Sequence, residues 1–190
     1  SCMVVANAGS VFAATTPSVE TYDYIWSYAD RTSVADYITV TGDGNNSSIS
    51  QTAQFTDGAA IASGDKGVKV KDNSQFTIVL GETLGAGTLK IYGVVNSDSS
   101  DASDGTVSTT SEGAKVSSTS NLIYKGGSTD ILPVEVAVDG AGTYEFDLTG
   151  AGKESRIMFV TYKASGSEIP DDTYLSLIHI SEPTRQEAIS

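Results

Sequence analysis

Four aromatic residues alternate near the start of the chain: Tyr22, Tyr24, Trp26 and Tyr28. On an extended strand alternate side chains leave by the same face, so this spacing predicts one row of rings. An exposed row could stack on the C–H faces of sugar rings, with hydroxyl and indole groups hydrogen-bonding at the edges. A buried row would instead line the core of a β-sheet protein, with the polar tips at its rim. Both readings are open at the level of sequence.

A second set of candidate ligands is rich in oxygen. Asn96, Asp98, Asp101 and Asp104 fall at the start of a Ser-, Asp- and Thr-rich segment, 96–120. Such a loop could border a ligand site or hold Ca²⁺, which takes about six to eight oxygen ligands. The spacing fits no calcium motif, and a solvated loop that initiates turns accounts for the same residues. Asp43, Asn45 and Ser47 begin like a calcium loop, but Ser48 and Gln54 stand where glycine and glutamate are needed. The expectation is no cofactor, with Ca²⁺ the one ion this chemistry would suit.

Paired carboxylates can hydrolyse glycosides, and Glu145 with Asp147 or Glu135 would be the pair to choose. They fall on the polar faces of amphipathic strands, where charge is expected in any case. The chain has one His, His179, and one Cys, Cys2, both outside its central part. No Ser–His–Asp or Cys–His arrangement, zinc ligand set or phosphate-binding loop can be assembled from the rest. The expectation is therefore no catalytic residue and no metal site, with a small glycoside hydrolase as the third-ranked reading.

The chain carries 24 Asp and Glu against 11 Lys and Arg, a formal net charge of −13. That field repels phosphate backbones and anionic lipid, which argues against nucleic-acid and membrane-surface partners. No apolar run approaches the roughly twenty residues of a membrane helix. Residues 1–13 read as the remnant of a secretory signal peptide, with Val11-Phe12-Ala13 as the small-residue cleavage site; a short buried strand is the alternative. The location implied is secreted, extracellular or at the cell surface. Residues 175–190 resemble a translated sequencing adapter, which leaves 14–174 as a single module.

That module is written in the two-residue period of strands. Phe76, Ile78 and Leu80 alternate with Gln75, Thr77 and Val79. Val134, Val136 and Val138 do the same, as do Tyr144, Phe146 and Leu148. Each pattern puts one face on a core and the other in water. The continuous apolar run from Ile157 to Tyr162 predicts a strand covered on both faces. Asp-Gly and Gly-X-Gly turns separate these runs, and no window has helical periodicity with start and stop signals. An all-β fold follows, a β-sandwich of jelly-roll type, with a long polar loop and an edge hairpin in 96–120.

The order of these strands carries a resemblance. An aromatic strand from Tyr22 to Tyr28 comes first, and Gly67-Val68-Lys69-Val70-Lys71 leads into Phe76-Thr77-Ile78-Val79-Leu80. Gly87-Thr88-Leu89-Lys90-Ile91-Tyr92 enters the polar loop. Gly142-Thr143-Tyr144-Glu145-Phe146-Asp147-Leu148 and Ile157-Met158-Phe159-Val160-Thr161-Tyr162 close the module. Residues 69–163 thus resemble the β-sandwich accessory modules found beside pectate lyase and pectin esterase domains in secreted gut-bacterial proteins. The resemblance implies a non-catalytic, carbohydrate-binding-like monomer. Its ligand would be a pectin-like polysaccharide, and its partner a polysaccharide lyase or esterase domain encoded downstream. A structural spacer or surface-adhesion module without a sugar site is the alternative.

Overall fold

The computed structural model describes residues 14–17, 22–44, 48–97, 99–118, 120–124 and 128–168. Residues 1–13, Asp98 and the terminal stretch with His179 lie outside them. Among the described residues fourteen strands follow in order. The first seven are β1 (Tyr24–Ser27), β2 (Ile38–Thr41), β3 (Ala53–Phe55), β4 (Ala60–Ile61), β5 (Val68–Val70), β6 (Ser74–Leu80) and β7 (Gly87–Val95). The rest are β8 (Gly105–Thr109), β9 (Ala114–Val116), β10 (Asn121–Leu122), β11 (Ser128–Ile131), β12 (Val134–Val138), β13 (Gly142–Thr149) and β14 (Ser155–Ala164).

Two large sheets face each other. One runs β1-β14-β7-β12-β9, with β5 also paired to β14; the other runs β10-β8-β13-β6-β2. From β5 to β10 successive strands alternate between them, and β12, β13 and β14 resume the alternation after β11. The molecule is a β-sandwich of jelly-roll type, and the long strands keep the expected parity. Phe76, Ile78 and Leu80 on β6 meet Phe146, Tyr144 and Gly142 of β13 in register. The Phe76 and Phe146 rings stack with centroids 5.1 Å apart. Leu89, Ile91, Val134 and Val136 fill the gap from the other sheet, each fully buried. Burying such side chains stabilises by about 1.5–3 kcal/mol apiece.

The run from Ile157 to Tyr162 has a specific cause. Pairing with β7 puts Ile157 opposite Gly93 and Phe159 opposite Tyr92, so Met158 is an extra residue, a β-bulge. The bulge turns Met158 and Phe159 together toward the outer face, while Ile157, Val160 and Tyr162 enter the central core. Gly93 is required here: a Cβ would stand 2.5 Å from the Arg156 carbonyl oxygen.

The outer face of this sheet is covered where β7 and β14 run. A third sheet, β11-β3-β4, contributes Phe55, Ile61 and Ile131 to a second apolar cluster with Tyr92, Val94, Met158 and Phe159. Residue Thr15 adds an antiparallel bridge to Ala60 at this sheet's edge. Within 96–120 the expected edge hairpin is replaced by a crossover. β8 joins the sheet of β13, whereas β9 pairs with β12 in the opposite sheet.

Candidate functional site

β1 lies antiparallel on β14, with Tyr24 opposite Tyr162 and Trp26 opposite Val160. Its inward face therefore joins the central core. Trp26 is 1% exposed, and Tyr24 and Tyr28 are half-buried against the same cluster. The Tyr37 ring stacks on Tyr24 at 4.0 Å, which takes one of its faces. The row of four predicted from sequence does not form. Tyr22 precedes the strand and turns to the opposite side of the sheet, because the two-residue period applies only while the backbone stays extended.

On that side Tyr22 joins a polar knot. Its hydroxyl lies 3.0 Å from that of Tyr92 and donates to Asp57 Oδ2 at 3.1 Å. Tyr92, fully buried, donates to the same oxygen at 2.5 Å. Lys90 Nζ donates to the Tyr22 hydroxyl at 3.3 Å. Asp57 is held by its own turn, since Oδ1 accepts from the Ala59 N–H at 3.0 Å. Burial first, then the bond to Asp57, pushes the Tyr92 hydroxyl well above the usual phenol range. The knot ties the segment before β1 and the β3–β4 turn to β7, which is a structural role.

In the oxygen-rich loop the side chains of Asn96 and Asp104 are committed to backbone. Asn96 Oδ1 accepts from the Ser50 N–H at 3.1 Å. Asp104 Oδ1 accepts from the Tyr124 N–H at 2.9 Å. The Asp101 N–H donates to Ser99 Oγ at 3.1 Å, and its side chain is exposed. Asp43 accepts from the Lys71 N–H at 2.6 Å and from Ser74. Among the described residues no group of three or more His, Cys, Asp or Glu could hold a metal ion. Glu135 and Glu145 stand on the water-facing sides of opposite sheets, so these two share no cleft.

Arg156 is a further buried charge, fully enclosed beneath the outer surface. Its Nη2 lies 2.9 Å from Glu154 Oε1, and Lys69 Nζ lies 3.0 Å from Glu154 Oε2. Burial opposes the Glu154 charge, but hydrogen bonds from Lys69 and Arg156 outweigh it and hold the carboxyl below its ordinary range.

A groove of about 370 Å³ opens beside Tyr28, a volume at the low end of small-ligand sites. Its floor is Met158 and Phe159, presented by the β14 bulge. Ser27, Tyr28 and Ala29 form one wall, Gly64, Asp65 and Lys66 of the β4–β5 turn another, and Ala14 and Thr16 a third. The Arg31 guanidinium caps the Tyr28 ring 4.1 Å from its centroid, and Trp26 meets the ring edge-on at 6.4 Å. Asp65 is positioned by accepting the Ala62 N–H at 3.0 Å. Apolar floor, ring edge and a rim of hydroxyl, carboxylate and ammonium groups are the elements that hold an amphipathic ligand such as a sugar.

Of the aromatic residues picked out from the sequence, Tyr28 alone lines this groove; Asn96, Asp101 and Asp104 do not. Met158, Phe159, Asp65 and Lys66 were missed. The apolar run around Phe159 signalled double coverage but not the bulge, and Gly64-Asp65-Lys66-Gly67 reads only as a turn. A shallower depression of about 460 Å³ lies between Ser120, Asn121, Asp130 and Leu132 and has no aromatic wall. No protein-family model matches the chain, and no curated protein matches it significantly.

Proposed function

We propose that the chain is a non-catalytic, exported glycan-binding module that accompanies a polysaccharide lyase or esterase domain. The single observation that carries the reading is the groove beside Tyr28, where an apolar floor of Met158 and Phe159 meets polar groups on three walls. A pyranose presents the matching chemistry: one C–H face for the floor and a ring of hydroxyls for Ser27, Thr16 and Asp65. Lys66 is exposed at the rim and suits the carboxylate of a pectin-like uronan.

One observation favours the alternative, a spacer or adhesion module without a sugar site. Tyr22 and Trp26, half of the aromatic row, are spent on internal packing. A glycan array probed with the protein and with Tyr28→Ala separates the two readings. Binding of uronans that weakens in the variant supports the glycan module. An array blank for both proteins favours the spacer.

A further inference from the structure

The groove described above has the N-terminal segment as one of its walls, and that segment is firmly placed. Thr15 N–H donates to the Ala60 carbonyl at 3.0 Å, and Ala60 N–H returns a bond to the Thr15 carbonyl at 2.8 Å. This paired bridge fixes Ala14 and Thr16 on either side of it, and both line the groove. The small-residue site Val11-Phe12-Ala13 ends immediately before Ala14. The bond that a signal-type endopeptidase would cut therefore immediately precedes Ala14, a residue of the groove's wall.

We propose that cleavage after Ala13 completes the site by placing the α-ammonium of Ala14 in the groove, where it binds the carboxylate of an acidic sugar. The inference rests on the glycan-binding reading given above. The peptidase adds water across the Ala13–Ala14 amide. The acyl carbon departs as the Ala13 carboxylate, and the nitrogen takes up protons to become a free ammonium. A neutral amide thereby becomes a cation, because an α-amino group titrates near about 7.7–8.0.

Charge in the groove makes the change matter. Its other titratable groups are Asp65 and Lys66 from the β4–β5 turn and Tyr28 from the end of β1, while Met158 and Phe159 of β14 carry no charge. Arg31 lies over Tyr28, with one nitrogen also donating to the Tyr28 carbonyl. Asp65 and Lys66 offset each other, and the new ammonium adds to the Arg31 charge in favouring anions. In a chain of net charge −13, that local reversal is what an acidic glycan needs.

The test compares three forms of the protein: one beginning at Ala14, the same protein acetylated on the Ala14 nitrogen, and one beginning at Ser1. Each is titrated with a galacturonate oligosaccharide at pH 6.5 and pH 9.5. The Ala14 form should bind about tenfold more tightly than the other two at the lower pH, the worth of one charge-assisted hydrogen bond. That advantage should vanish at the higher pH, where the amine is neutral. Equal affinity for all three forms overturns this inference and leaves the glycan reading standing. Absence of binding by every form overturns both.

Discussion

The hydroxyl of Tyr92, buried beneath the third sheet, donates to Asp57 Oδ2 at 2.5 Å across 35 residues of chain. This bond joins the central strand β7 to the β3–β4 turn and brings Tyr22 with it. Removing the donor with Tyr92→Phe should lower stability by about 1–2 kcal/mol. Removing the acceptor with Asp57→Ala should cost more, about 1–3 kcal/mol, because two phenol hydroxyls lose their carboxylate acceptor at once. Denaturant unfolding of the two variants measures the order.

The same bond sets a pH limit. The folded protein holds the Tyr92 proton more tightly than the unfolded chain does, since burial and Asp57 both raise its affinity. That contribution is complete below the unfolded value of about 10 and is lost as the pH rises past it. Unfolding midpoints should fall above about pH 10, and the fall should be shallower in Tyr92→Phe. An identical alkaline slope in both proteins would remove Tyr92 from the explanation.

Glu154 acts at the other end of the pH scale. Its folded carboxyl lies below the ordinary range, so its contribution is present above the unfolded value of about 4.3 and is lost as the pH falls through the folded one. Glu154→Ala should cost about 1–3 kcal/mol at neutral pH, because Arg156 would keep its buried charge without this carboxylate. The lower end is favoured, since the Glu154 side chain is 36% exposed and water screens the pair. The variant should also lose part of its acid sensitivity below about pH 4.3, measurable by denaturation at stepped pH.

Trp26 and Tyr28 are two residues apart and should behave oppositely. Trp26→Ala opens a cavity in the central core and should cost about 3–5 kcal/mol. Tyr28→Ala should change stability by under about 1.5 kcal/mol, because its ring is half-buried at a strand end. Its effect should appear in glycan binding. A Tyr28 variant as unstable as the Trp26 variant would make Tyr28 a core residue.

Alternation made β6, β12 and β13 legible, because one face of each meets the core and the other meets water. Tyr92 and Val94 show the converse. They have the parity of an outward face, yet the short strands β3, β4 and β11 cover them. Those strands span two to four residues, too few for a period to show. The aromatic row failed at Tyr22 because nothing in Tyr-X-Tyr-X-Trp-X-Tyr marks where the strand begins. The groove was illegible for a related reason. It is assembled from a bulge, two turns and a terminal segment, and a bulge at Met158 is a property of pairing with β7 rather than of β14 alone.

The most direct measurement is a ¹H–¹⁵N titration of the protein with a galacturonate oligosaccharide. Shifts should concentrate on Ser27, Tyr28 and Ala29, on Gly64, Asp65 and Lys66, and on Met158 and Phe159, the residues that surround the groove. An unperturbed spectrum at millimolar sugar, or shifts gathered around Thr129, Asp130 and Leu132 instead, would contradict the account.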